Sequence, residues 1–121
     1  MGDHLNVRRI LTEEFKKEFR RLSGGQYFGI TLPYLKKLFD IRAVQERIDE
    51  ALDKKEDPQE KSTLRKYHRN NLRYLAKYFA ETLSNQLKSS GVSLAEIMRD
   101  DSILKTTLKT FKSNPQCKVY H

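Results

Sequence analysis

The sequence has little of what small exported proteins and β-rich proteins depend on. Its 121 residues include one cysteine, three prolines, five glycines and no tryptophan. Because Cys117 is alone, an internal disulfide is excluded, and a reducing compartment is expected. The tight turns of a β protein depend on proline and glycine, and this sequence has few of either. We therefore expect no strands.

Long apolar runs are also missing. No run approaches the ~18 residues that a membrane-spanning helix needs, and the N-terminus carries no apolar signal core. We therefore expect neither export nor a membrane span. The expected location is cytoplasmic, or nuclear if the source is eukaryotic.

What the chain does have is charge and helix-forming residues. Charged residues make up 33% and apolar residues 37% of the chain, which is lean for a core but above the range typical of disorder. Lys, Arg, Glu and Leu dominate and favour helices. We predict one domain over residues 1–121, an all-α compact bundle of four to five helices with one long basic central helix.

Apolar spacing and capping signals place the helices. The predicted helices cover 5–22, 32–54 with a kink near Asp40, about 58–90, 94–100 and 102–112, with a linker at 54–61 and a flexible tail at 113–121. Thr31 is expected to cap the second helix. Asp57, Pro58 and Glu60 form the start signal of the long helix, and Gly91 ends it.

The net charge of +8 is unevenly distributed. Residues 40–60 sum to −4, whereas residues 61–80 contain six Lys or Arg and no acid. A basic surplus of this size favours polyanions: nucleic acid, an anionic membrane surface or an acidic protein. The second predicted helix, whose outer face carries Glu46, Asp49, Glu50 and Asp53, is the acidic element.

Residues 61–80 hold the candidate binding site. On a helical wheel, Lys66, Arg69, Arg73 and Lys77 form one stripe, called here the basic ridge. Like charges at this spacing repel, so a phosphate backbone lying along the ridge would explain them. Three tyrosines flank the other side of the apolar face and are candidates for stacking on unpaired bases: Tyr67, Tyr74 and Tyr78.

Plainer interpretations remain open for the same residues. The ridge fits a solvated helix face equally well, and the acidic 40–60 helix could pack beside it and neutralise it. The tyrosines also fit half-buried positions at the edge of the core. His68 falls on the apolar face and is expected to be a buried histidine with hydrogen-bond partners.

No pattern in the sequence predicts catalysis, a cofactor or a metal. The histidines, His4, His68 and His121, have no partner at ligand spacing, and one cysteine cannot build a zinc site. We therefore expect a non-enzymatic protein without a cofactor. A helix-turn-helix at 93–112 is disfavoured because Asp100 and Asp101 would face phosphate. Secondary candidates for backbone contacts are the paired cations of the first helix and Lys105, Lys109 and Lys112.

Three segments resemble the small helical subunit family of type III CRISPR effector complexes. "GITLPYLKKLF" (29–39) is similar to that family's threonine-capped helix entry, "LRYLAKYF" (72–79) to its Tyr-x-Ala segment, and "SSGVSLAEI" (89–97) stands at a similar distance downstream. Where the family has Gly-Arg after the alanine, this chain has Lys77 and Tyr78. The resemblance implies a non-catalytic subunit that contacts RNA backbone through Lys36, Lys37, Arg73 and Lys77.

Together these patterns predict a non-enzymatic protein that binds the backbone of nucleic acid, RNA or single strands rather than a duplex DNA sequence. It could act as one subunit of a larger ribonucleoprotein or defence complex. The alternative is a helical adaptor for protein–protein interaction. Such an adaptor would bind an acidic partner on the ridge or associate with itself through the long helix.

Overall fold

Three helices form the part of the chain that the structure describes. The computed structural model describes residues 4–23 and 39–91, together with Glu96, Arg99, Ser102, Lys105, Lys109 and Ser113. The helices are α1 (Val7–Ser23), α2 (Ile41–Asp53) and α3 (Pro58–Ser90). The six isolated residues after Gly91 are also helical, and no strand occurs among the described residues. The predicted all-α class is thereby confirmed.

Several predicted features lie outside the described residues. They include the Thr31 cap, the first part of the 32–54 helix and almost all of the tail at 113–121. Of the predicted helices at 94–100 and 102–112, only the isolated residues named above are described. The described part accordingly supports a compact all-α fold of three helices.

The boundaries of α3 follow from local chemistry, as the sequence predicted. The Asp57 side chain accepts a hydrogen bond from the Gln59 amide at 3.0 Å, and Pro58 occupies the first turn, where its missing N–H costs nothing. At the other end Gly91 adopts a left-handed backbone with φ 65°, which is the usual glycine stop. Between them α3 runs 33 residues, about 50 Å.

A break at Asp40 falls within the span predicted as one helix, and α2 begins directly after it. Asp40 adopts a left-handed backbone, with φ 44° and ψ 58°, between helical Phe39 and the first residue of α2. This residue is where the sequence predicted a kink. Asp is one of the few non-glycine residues that enter this region readily, which is why the break falls there.

A glutamine of α2 holds the beginning of α1. The Gln45 amide donates to the Leu5 carbonyl at 2.7 Å, and its oxygen accepts from the Val7 amide at 2.9 Å. Asn6 adds a side-chain cap by accepting from the Arg9 amide at 3.1 Å. Two of the amide groups that a helix N-terminus leaves unpaired are thus satisfied.

The contacts between helices fix their directions. Glu14 lies beside Arg73, and the next turns of α1 and α3 bring Glu18 near Lys77, so these two helices run parallel. Asp49 lies beside His4, and Asp53 and Lys61 line one cavity, so α2 runs antiparallel to both. Most of the interhelical packing is between α1 and α3.

Apolar side chains from all three helices meet around Phe79. Its ring lies 5.7 Å from that of Phe15 on α1 and 5.0 Å, edge-on, from that of Phe39 just before α2. Edge-on and offset aromatic pairs add to the gain from burial. The buried apolar residues are Leu5, Val7, Leu11, Phe15, Phe19, Phe39, Val44, Ile48, Leu52, Leu72, Leu75, Ala76, Phe79, Ala80 and Leu83.

Among the described helices, none combines the length and the apolar character that crossing a membrane would require.

Candidate functional site

The basic ridge lies on the exposed side of α3. Lys66, Arg69, Arg73 and Lys77 are all exposed, and they extend along about 16 Å of the helix. Leu72, Leu75, Phe79 and Leu83 lie on the adjoining face of α3, which is buried in the core. The ridge is therefore fixed in orientation by the packing of the same helix that carries it.

The neighbour of the ridge is α1. Arg73 lies 3.9 Å from Glu14, and the charge of Lys77 acts on Glu18. Both carboxylates lie on the side of α1 that meets α3. Among the described residues, no carboxylate lies within ion-pair distance of Lys66 or Arg69. The neutralisation is thus confined to the C-terminal half of the ridge.

Glu18 is the one carboxylate buried among the described residues. It accepts a hydrogen bond from the Arg21 guanidinium, which lies mostly in solvent. That hydrogen bond lowers the pKa of Glu18 against the opposing effect of burial, and it raises the pKa of Arg21.

Parallel packing sets a second basic surface beside the ridge. The outer side of α1 exposes the cations Arg8, Arg9, Lys16, Lys17, Arg20 and Arg21. Arg9, Arg69 and Arg73 line one groove between α1 and α3, together with Glu13 and Glu14. Arg9 is paired with Glu13 at 3.1 Å. The sequence identified both sets of cations but gave no sign that they are adjacent, since helix direction depends on long-range packing.

Two carboxylates on the acidic face of α2 have partners outside the ridge. Glu46 pairs with Arg42 at 3.4 Å on the same helix, and Asp49 lies 3.6 Å from His4. The described residues include no ion pair between an α2 carboxylate and a ridge cation. In the described part, the acids beside the ridge come from α1 instead, which the sequence did not predict.

The three tyrosines lie on the solvent side of α3, away from the ridge. Tyr67, Tyr74 and Tyr78 expose 42%, 43% and 41% of their surface, respectively. The rings of Tyr74 and Tyr78 lie nearly parallel, with an interplanar angle of 25° and centroids 6.1 Å apart. The ring of Tyr67 instead meets His68 edge-on at 5.6 Å. The sequence allowed two interpretations of these tyrosines, as stacking residues or as half-buried residues at the edge of the core. The observed exposures leave much of each ring accessible.

Only some secondary candidates can be located. Lys105 and Lys109 are helical and exposed. Lys36, Lys37 and Lys112 lie outside the described residues, as do Cys117 and the acidic pair Asp100 and Asp101. The ridge and the paired cations of α1 are therefore the two sets of predicted backbone-contacting residues that lie completely within the described part of the chain.

His68 is buried, as predicted, but the prediction that it would have hydrogen-bond partners is wrong. It is 9% exposed, and neither ring nitrogen has a hydrogen-bond partner among the described residues. Burial lowers the pKa of this imidazole, because the charged form loses its hydration. Among the described residues, no three His, Cys, Asp or Glu side chains are grouped closely enough to hold a metal ion.

Comparison with known proteins finds no match to this chain. No protein family, curated protein or solved structure matches the chain.

Proposed function

We propose that this protein is a non-enzymatic binder of nucleic acid, which it contacts through the phosphate backbone. Lys66, Arg69, Arg73 and Lys77 carry the contact, and the exposed cations of α1 extend it. RNA or a single strand is the expected ligand, rather than a particular duplex sequence. A cytoplasmic location, or a nuclear one in a eukaryote, is part of this proposal.

One observation supports the proposal most strongly: the ridge is exposed, and among the described residues no α2 carboxylate forms an ion pair with it. Four cations on successive turns of one helix repel each other by a few tenths of a kcal/mol per pair. A phosphate backbone relieves that repulsion and releases its condensed counterions, which is the main source of affinity in such complexes. The carboxylate of Glu14 relieves it only at Arg73.

The resemblance to small CRISPR effector subunits leads to a narrower form of the same proposal. In that form the chain is one non-catalytic subunit of a larger ribonucleoprotein or defence complex. Arg73 and Lys77 are the two positions of that resemblance that the described residues include, and both are exposed.

The alternative proposal is a helical adaptor that binds an acidic protein on the same ridge. Self-association through the apolar side of α3 has less support, because Leu72, Leu75, Phe79 and Leu83 are buried within the chain. An acidic protein on the ridge would also be screened by salt, so the ligand itself separates the two proposals. The first predicts an affinity for oligonucleotides that falls linearly with salt on a log–log plot, and the second predicts its main affinity for a protein.

The experiment is a fluorescence-anisotropy titration of labelled single-stranded RNA, single-stranded DNA and duplex DNA at ~50 and ~200 mM salt. We expect binding at the lower salt that weakens steeply at the higher salt. The charge reversal Arg69→Glu should weaken the binding of every sequence. Absence of binding at ~50 mM salt, or equal affinity of the Arg69→Glu variant, would contradict the proposal.

Arg42→Glu is the matched control. Arg42 is 91% exposed on α2, and its reversal changes the net charge by the same amount as Arg69→Glu. If binding depends on the ridge and not on net charge alone, Arg42→Glu should keep near wild-type affinity. An equal loss in both variants would mean that the ridge has no special role.

A further inference from the structure

Each exposed tyrosine of α3 directly follows a ridge cation in the sequence. The pairs are Lys66 with Tyr67, Arg73 with Tyr74, and Lys77 with Tyr78. Neighbouring residues on a helix differ by only about 1.5 Å along the axis and by about 100° around it. Each ring therefore lies at nearly the same height along the helix axis as a cation. The ring and the cation point in different directions around that axis, both on the solvent side.

This arrangement suits a polymer that carries charge on one edge and flat rings on the other. The ridge and the tyrosines lie about a third of a turn apart, and exposed Asn70 lies between the two stripes. Duplex DNA keeps its bases paired and stacked inside, so it can offer only phosphates to this surface. A single strand offers both phosphates and unpaired bases.

We infer that Tyr74 and Tyr78 form a stacking platform for unpaired bases of a single-stranded nucleic acid whose phosphates lie on Arg73 and Lys77. This inference rests on the proposed function and adds the side chains that contact the bases of its ligand. The two rings are exposed on neighbouring turns of α3 and lie nearly parallel, with their centroids 6.1 Å apart. Base–aromatic stacking tolerates any sequence, because every base has a flat face.

Tyr67 has a different setting and does not belong to the platform. Its ring packs edge-on against His68, and it lines an open groove at the start of α3 with Asp57 and Glu60. The ring of Tyr67 is thus not parallel to its aromatic neighbour, unlike the rings of Tyr74 and Tyr78. Since Tyr67 matches the other two in exposure and also follows a cation, Tyr67→Leu serves as the control variant.

The test compares two single strands of equal length, one with bases and one made of abasic sites. Both carry the same phosphates, so the difference in affinity isolates the contribution of the bases. We expect the wild-type chain to bind the strand with bases about tenfold or more tightly than the abasic strand. The double variant Tyr74→Leu with Tyr78→Leu should lose that preference while keeping its affinity for the abasic strand, and Tyr67→Leu should bind as wild type.

The outcomes separate this inference from the proposed function. Equal wild-type binding of both strands would leave backbone binding standing and would overturn the stacking platform. So would a double variant that keeps the preference, or one that loses affinity for both strands alike. No wild-type binding to either strand would overturn the proposed function and the platform together. Helix content by circular dichroism verifies the folding of each variant, and Tyr74→Ser with Tyr78→Ser repeats the test if the leucine variant misfolds.

Discussion

At the scale of single residues, burial of His68 changes the pKa of its side chain. It is buried without a hydrogen-bond partner among the described residues, and burial lowers the pKa of its imidazole below 6.5. As the pH falls, the unfolded chain therefore takes up a proton before the folded chain does. The free energy of unfolding should decline as the pH drops below about 6.5, the ordinary value of the group.

Urea unfolding at several pH values from 5 to 8 measures that decline. His68→Phe cannot be protonated, and it should remove the part of the decline that this histidine causes. His4→Gln changes an exposed histidine and should keep it. A His68→Phe variant whose stability falls with pH as steeply as the wild type's would show that His68 is not the group responsible.

At the scale of elements, the N-terminal cap of α3 can be tested by substitution of Asp57. Asp57→Ala removes the acceptor of the Gln59 amide, which should lower the free energy of unfolding by about 1 kcal/mol. Asp57→Asn keeps an acceptor at the same position and should restore most of that loss. Chemical denaturation of the three proteins gives the values, and equal stability of the alanine and wild-type chains would rule out a contribution from the cap.

The parallel direction of α1 and α3 can be tested by cross-linking. In a chain carrying Cys117→Ser, the pair Glu14→Cys and Arg73→Cys should react with a short bismaleimide, because the two native side chains come within 3.9 Å. The pair Lys17→Cys and Lys66→Cys should not react, since parallel helices separate these positions by about 15 Å along the axis. Efficient linkage of the second pair instead of the first would mean that the helices run antiparallel.

These elements also show which structural features could be predicted from the sequence. The limits of α3 were predictable because Asp57, Pro58 and Gly91 act within a few residues of the helix ends. The break at Asp40 was predictable for the same reason. The position of Glu14 beside Arg73 was not, because it depends on how two helices distant in the chain pack together. Local periodicity identifies which face of each helix is buried but not the partner of that face.

At the scale of the whole molecule, the packing of α1 against α3 brings two basic surfaces side by side. The cations of α1 and the ridge of α3 were both visible in the sequence, yet only the parallel packing makes them neighbours. The same packing sets Glu13, Glu14 and Glu18 close by, so the local field is weaker than the cations alone suggest. We expect Lys66 and Arg69, which have no carboxylate within ion-pair distance among the described residues, to contribute most to binding.

Phosphate binding by the ridge is tested most directly by the salt dependence of affinity for a single-stranded oligonucleotide. Each phosphate contact contributes about −0.7 to the slope of log K against log salt, so four ridge contacts predict a slope near −3. Arg69→Glu should flatten the slope by about one contact, and Arg42→Glu should leave it unchanged. A wild-type slope near zero, or the same slope in wild type and Arg69→Glu, would contradict phosphate binding by the ridge.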